Sequence, residues 1–140
     1  MNEINFHETN TIAHDGTPVR FVYDQDADIL ELFFGENEVA TGVELTDHIM
    51  LRLNKQARRA VSLTMRHFSI LTERTMYGPR SYPLTSLDES PDELRELALQ
   101  LITSMPVSQF MKLSHFQASP MEQIPFTYVE AQQPVMAMMA

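Results

Sequence analysis

Three aspartates, Asp24, Asp26 and Asp28, occupy alternate positions of a short polar segment. Their spacing matches the first ligands of a calcium loop, which also needs Gly at its sixth position and Glu at its twelfth. Those positions hold Ile29 and Gly35 in this chain. We therefore interpret the segment as a hairpin turn in which aspartate side chains accept hydrogen bonds from neighbouring backbone amides.

The imidazole groups give no recognisable ligand pattern. No two histidines stand in a His-x-x-x-His or His-Glu-x-x-His arrangement, the spacings by which many metal sites are identified. The chain has no cysteine, which excludes disulfides, thiolate ligands and a cysteine nucleophile. We predict no metal site and no cofactor. His48 and His67 would nevertheless meet at one end of a hairpin if the strands around them pair.

The common sequence signatures of catalysis are also missing. Four glycines provide little material for a phosphate-binding loop, and no Gly-x-Ser-x-Gly motif supplies an activated serine. Carboxylates are numerous, but a catalytic pair requires separate environments that a sequence does not reveal. We predict that the chain is not an enzyme. The enzyme alternative requires a pocket in which His48 or His67 meets carboxylates.

Charge is distributed in blocks along the 140 residues, whose net charge is −9. Residues 1–47 contain eleven acids and one base, and residues 48–80 contain seven bases and one acid. Residues 81–140 have a net charge of −5. The acidic total argues against binding of nucleic acid by the whole surface. It leaves room for a local basic site in the middle of the chain.

The basic middle segment is the candidate anion-binding site. A stretch that interleaves arginine with tyrosine, from Arg74 to Tyr82, follows it, and such a pattern suits phosphates or an acidic protein surface. The alternative is that the segment pairs with the acidic blocks of its own chain. The candidate residues are Arg52, Lys55, Arg58, Arg59 and Arg66.

Apolar and alternating segments between residues 18 and 68 predict an antiparallel β-meander of about five strands. The pairs expected in the first hairpin are Tyr23–Leu30, Phe21–Leu32 and Val19–Phe34. In the last hairpin we place the turn at Ala57, because this register keeps apolar side chains on one face. The pairs expected there are Leu53–Val61, Leu51–Leu63 and Ile49–Met65.

The second face of this sheet is predicted to be only half polar, so the C-terminal part of the chain, or a partner, is expected to cover part of it. Residues 90–105 predict an amphipathic helix that begins in a Ser90-Pro91-Asp92-Glu93 capping sequence. A second short helix is expected at about 107–113, and a late strand at 126–129. The candidate partner-binding residues are Val22, Ile29, Phe33 and Met50 on the sheet, and Leu94 and Leu101 on the helix.

The predicted fold class is therefore α+β, with a β-meander followed by one or two C-terminal helices. We expect a β-meander domain at residues 1–88. A helical C-terminal extension at residues 89–140 is expected to pack on it and to end in a flexible tail.

Residues 18–71 combine an aromatic-Asp turn, Tyr23 to Asp28, with an apolar strand at 29–33, an acidic Glu44 and two further strands at 49–53 and 61–65. This combination resembles the short bacterial proteins of domain-of-unknown-function family 2283. The chain departs from the family pattern at 55–58, where members often have Gly, and at Ser62 and Thr64, where they often have Gly and Glu. The resemblance implies a small antiparallel meander without an assigned activity. Some relatives look like antitoxins, which implies a partner-binding role.

We predict a non-catalytic protein-interaction or regulatory module that binds a protein partner or a second copy of itself as a homo-oligomer. A nucleic-acid-associated regulator that uses the basic hairpin 52–66 is the first alternative, and an uncharacterised enzyme is the second. No apolar segment approaches the ~20 residues of a membrane helix, and the acidic N-terminus does not resemble a signal peptide. We therefore expect a cytoplasmic protein with no membrane partner.

Overall fold

The computed structural model describes residues 6–68, 74–75, 78–79, 82–119 and 122–129, with side chains at 6–68, 84 and 86–111. Its main element is a six-stranded antiparallel sheet with one face covered by helical segments, which confirms an α+β fold. The strands of this sheet are β1 (Phe6–Ile12), β2 (Pro18–Asp24), β3 (Ile29–Phe34), β4 (Thr41–Glu44), β5 (Ile49–Asn54) and β6 (Arg59–Arg66). The elements that follow are β7 (Arg74–Thr75), β8 (Gly78–Pro79), β9 (Tyr82–Pro83), the 3₁₀ turn η1 (Thr85–Glu89), helix α1 (Asp92–Ile102), the 3₁₀ turn η2 (Val107–Gln109), β10 (Met111–Ser119) and β11 (Glu122–Val129).

The strand order in the main sheet is β1-β2-β3-β6-β5-β4. The predicted five-stranded meander is therefore corrected to two three-stranded meanders, which join where β3 pairs with β6. This pairing places Leu30 and Leu32 opposite Met65 and Leu63, so that four apolar side chains share the buried face. The additional strand is β1, whose mostly polar sequence does not show the apolar alternation by which the other strands were predicted.

The register of the first hairpin is confirmed at all three predicted pairs. In the last hairpin the pairs Ile49–Met65 and Leu51–Leu63 are confirmed, but Leu53 faces Ala60 and not Val61. The reason is that Asn54 pairs with Arg59, which shortens the turn to residues 55–58 and leaves a bulge on β6. A bulge of this kind adds one residue to a strand and increases its local twist.

A polar side chain accepts backbone hydrogen bonds in each hairpin turn, Asp24 in the first and Asn54 in the second. The Oδ1 atom of Asp24 accepts hydrogen bonds from the backbone amides of Asp26 and Ala27, at 3.1 and 3.2 Å. This confirms the interpretation of the aspartate segment as a turn. The last turn residue of the first hairpin, Asp28, has φ 56°, and the last turn residue of the second, Arg58, has φ 52°.

The inner face of the sheet forms the hydrophobic core together with the helical segments. Leu97, Ala98 and Ile102 of α1 are buried in this core. The ring of Phe110 packs edge-on against Phe21, with 5.6 Å between the ring centroids. None of the helices in the described part of the chain is long and apolar enough to cross a membrane.

The C-terminal part is less helical than predicted. Helix α1 begins at Asp92, because Ser90 ends η1 by donating its backbone N–H to Leu87 and provides no side-chain cap to α1. The predicted second helix is reduced to η2, and residues from Met111 onward form β10, which pairs with β11. The segment at 111–116 is too short for apolar spacing to separate a helix from a strand.

The predicted late strand at 126–129 is confirmed as part of β11, within a three-stranded sheet of order β10-β11-β9. The predicted flexible tail lies outside the described residues.

Candidate functional site

The face of the main sheet opposite the core, here called the outer face, carries four of the predicted partner-binding residues. Val22, Ile29, Phe33 and Met50 alternate along their strands with core residues and are each half-buried. Directly opposed residues of antiparallel strands lie on the same face. The pairing therefore groups these side chains with Phe6, Glu8, Asn10 and Ile12 of β1, Arg20 of β2, and Ser62, Thr64 and Arg66 of β6.

Charged groups frame the apolar residues of the outer face. The guanidinium carbon of Arg20 lies 4.5 Å from the centre of the Phe33 ring, and its Nη1 lies 3.5 Å from a carboxylate oxygen of Glu8. Val22 stands between Glu8 and Glu31 in the strand pairing. The face therefore offers apolar contact area interspersed with charged groups.

The other two predicted partner-binding residues do not belong to this surface. Leu94 and Leu101 lie on α1, and both are half-buried against the core. Helix α1 therefore packs on the inner face and not on the half-polar face that the C-terminal part was expected to cover, because its buried side chains belong to the core of the inner face. The structure therefore separates the predicted set into a sheet surface and a helix surface on opposite sides of the sheet.

Four of the five residues of the predicted anion-binding set donate hydrogen bonds within the molecule, and three of these donate to groups of the main sheet and its loops. Arg66 donates to Glu44 at 3.1 Å, and Arg52 donates to the hydroxyl of Ser62 at 3.2 Å. The guanidinium of Arg59 contacts several groups of the loop between β3 and β4 and the strand ends beside it. Its acceptors are the carbonyls of Phe34, Glu36 and Ala60 and the carboxylate of Glu38.

Arg59 also changes the acidity of its partner. Hydrogen bonds from Arg59, and then from Asn54, hold the pKa of the Glu38 carboxyl below its usual value. Glu38 and Glu44 both belong to the acidic block at residues 1–47. Arg59 and Arg66 thus pair with acids of their own chain, as the alternative interpretation of the basic segment expects.

The remaining candidates lie at two pockets beside α1: Arg58 lines both of them and Lys55 lines one. Arg58 donates to the side-chain oxygen of Gln100 at 2.8 Å and lies at the border of both pockets. The pockets have volumes of about 250 and 230 Å³, and each contains an acid as well as a base, Asp15 in one and Glu93 in the other. Both volumes lie below the range of about 300–1,000 Å³ that is typical for ligand sites.

His48 and His67 meet, as the pairing of their strands suggested. Their Nδ1 atoms are 3.1 Å apart and their rings are nearly perpendicular. Among the described residues, no group of three or more His, Asp or Glu side chains is arranged to hold a metal ion.

The tyrosine and the last aspartate of the first hairpin form a partly buried pair that the sequence did not reveal. The hydroxyl of Tyr23 donates to Asp28 Oδ1 at 2.7 Å. Burial, and then the hydrogen bond to Asp28, raise the pKa of Tyr23 to about 12. The pair fixes the geometry of the turn, since Asp28 holds a left-handed backbone conformation there.

Strand β1 is the part of the outer face that sequence reasoning missed. It is an edge strand of the sheet, and its outer-face residues Phe6 and Ile12 are 55% and 62% exposed. The only sequence signal is the placement of these two apolar residues at the ends of a polar segment.

Comparisons with known proteins give little further guidance. No family model matches the chain, and no solved structure matches it. Over 48 residues the chain is 35% identical to the methionine import ATP-binding protein MetN of Coxiella burnetii. This similarity covers 34% of the chain and 14% of the length of that protein. The resemblance to family 2283 and the function of the chain therefore stay predictions.

Proposed function

We propose that the chain is a protein-interaction module whose contact surface is the outer face of the six-stranded sheet. The observation that carries this proposal is the set of half-buried apolar side chains on that face together with the exposed Phe6 and Ile12 of β1. Val22 is the diagonal neighbour of Phe6, Ile29 and Phe33, while the residues directly opposite these side chains are polar. A non-obligate protein interface is only about as apolar as the rest of a protein surface, so apolar side chains interspersed with polar ones suit a protein partner.

The arrangement of the bases supports a protein partner over nucleic acid. Arg52, Arg59 and Arg66 donate hydrogen bonds within the molecule, and two of them do so to carboxylates. A phosphate would have to compete with these acceptors, and the net charge of −9 opposes the approach of a polyanion. The nucleic-acid alternative therefore has less support than it has from the sequence pattern.

The proposal is tested by placing a charge in the middle of the outer face. We expect Phe33→Glu to abolish association with a partner retained from the native extract, because the new carboxylate would be desolvated in an interface on the outer face. The measurements are the mass in solution and the proteins retained by the immobilised chain, with thermal melting as a test of folding.

The matched control is Val39→Glu. Val39 is 94% exposed in the loop that precedes β4, so the substitution adds the same charge away from the outer face. We expect this variant to associate like the native chain. A native chain that is strictly monomeric and retains no partner, or a folded Phe33→Glu variant that still retains the partner of the native chain, contradicts the proposal.

A further inference from the structure

We propose that the partner of this module is a second copy of the chain, which adds its own β1 antiparallel to β1 at the open edge of the sheet. This inference rests on the proposed function: the second copy meets the outer face only at its β1 border, through Phe6 and Ile12, while Val22, Phe33 and Met50 lie outside the new strand pair. In the arrangement, Thr9 lies on the two-fold axis and faces Thr9 of the other copy, and the two sheets continue into one another.

Strand β1 directs the backbone N–H and C=O groups of alternate residues away from β2, as this pairing requires. Ala13 donates its N–H to the carbonyl of Thr17 at 2.8 Å, on the β2 side. Hydrogen-bond direction alternates along an antiparallel strand, so the odd-numbered residues of β1 bond to β2 and the even-numbered residues point to the open edge. Pro18 fits this alternation: it pairs with Ile12, has no N–H, and its carbonyl accepts from Gly35.

The two-fold axis at Thr9 pairs outward-directed residues with each other. Phe6 faces Ile12 of the second copy, and Glu8 faces Asn10. Each such pair can exchange both of its backbone hydrogen bonds, because the N–H and C=O groups of all four residues point to the open edge. The register uses the whole of β1, whose bounds Phe6 and Ile12 are equidistant from Thr9.

The side chains suit the same register. Phe6 and Ile12 are large, exposed and apolar, and each would cover the other across the new strand pair. Glu8 is the one acidic residue of β1, and it would face the uncharged Asn10, so no like charges are opposed. The two exposed apolar residues of this strand therefore gain a partner with no like charges directly opposed, and the two Glu8 side chains are diagonal neighbours.

Strand β1 also differs from edges that are protected against pairing. Proline, lysine and bulges commonly block an edge. β1 contains neither proline nor lysine, and it pairs with β2 without a register shift over seven residues. The opposite edge strand, β4, has only four residues.

The register is tested by single cysteines in a chain that has none of its own. Thr9→Cys places a thiol opposite itself in a pair with about 4.5 Å between Cα atoms, which is within the range that a disulfide spans. We expect this variant to form a covalent dimer on mild oxidation. Thr11→Cys is the matched control, because its thiol faces His7 and lies about 13 Å along the strand from its equivalent. We expect it to stay uncrosslinked.

The edge itself is tested by Asn10→Pro, with Asn10→Ala as control. Proline removes an N–H that points to the open edge and leaves the bonds to β2 intact, so the variant should fold. We expect the native chain and Asn10→Ala to have twice the monomer mass in solution and Asn10→Pro to have the monomer mass.

The outcomes separate this inference from the proposed function. A native chain that self-associates without a Thr9→Cys crosslink, and whose mass Asn10→Pro does not change, overturns the β1 pairing and leaves the interaction module standing. The β1 pairing is also overturned, and the interaction module also stands, if the native chain is a monomer that retains a protein partner and Phe33→Glu loses that partner. A monomer without any partner overturns both.

Discussion

At the residue scale, the raised pKa of Tyr23 makes the stability of the fold depend on pH in the alkaline range. Its pKa is raised to about 12 by burial and by the hydrogen bond to Asp28, so the folded state keeps the phenolic proton more firmly than the unfolded chain does. The stabilisation is fully present below the ordinary pKa of about 10 and is lost as the pH rises from there to about 12. We expect the free energy of unfolding to decrease over this window.

Tyr23→Phe isolates this contribution. At neutral pH the variant should be less stable by about 1–2 kcal/mol, because the hydrogen bond to Asp28 is lost while the ring remains. The difference in unfolding free energy between the native chain and the variant should shrink between about pH 10 and 12. Urea denaturation at a series of pH values measures it. A difference that stays constant up to pH 12 contradicts the assignment.

At the element scale, the β5–β6 hairpin carries an arginine where the backbone favours glycine. Arg58 has φ 52°, a left-handed conformation that costs a side-chain-bearing residue about 1 kcal/mol. The hydrogen bond from Arg58 to Gln100 is exposed to water, so it stabilises the fold by less than the left-handed conformation costs. We therefore expect Arg58→Gly to be as stable as the native chain or more stable, by up to about 1 kcal/mol, as judged by the urea midpoint.

The control in the same turn is Ala57→Gly. Ala57 has no positive φ, so the substitution brings only the greater freedom of glycine in the unfolded chain and should lower stability by a few tenths of a kcal/mol. If Arg58→Gly destabilises the hairpin more than Ala57→Gly does, the arginine side chain stabilises the fold beyond its contact with Gln100.

The same hairpin shows how far the sequence predicts the elements. The register of the first hairpin followed from its apolar pattern, because both strands alternate without interruption. In the second hairpin, Leu51 and Leu63 were paired correctly, but the bulge beside Leu53 depends on backbone geometry in the turn, which apolar spacing does not encode. Strand β1 was missed for a related reason, since an edge strand buries few side chains and needs little apolar pattern.

At the scale of the whole molecule, the sequence located the apolar residues of the outer face but not their continuation into β1. Val22 and Phe33 were placed on one face by strand periodicity alone. Their neighbours Glu8 and Asn10 come from a strand that joins only through long-range pairing with β2. The partners of the bases were likewise invisible, since Glu38 and Arg59 meet across the loop between β3 and β4.

The charge of the whole molecule gives a last prediction, which separates the two binding functions. Each copy has a net charge of −9, so two copies repel one another at low ionic strength. Because the Debye length falls to about 10 Å at 0.1 M salt, raising the salt concentration from about 20 to 300 mM should strengthen self-association. A complex of the basic hairpin with nucleic acid would weaken steeply over the same range, since phosphate contacts release counterions.

Sedimentation equilibrium of the native chain at both salt concentrations measures the change in self-association, with Asn10→Pro as the non-associating control. Self-association that weakens as salt is added contradicts an interface formed by backbone pairing and apolar contact, because salt screens repulsion between the copies but leaves those interactions in place.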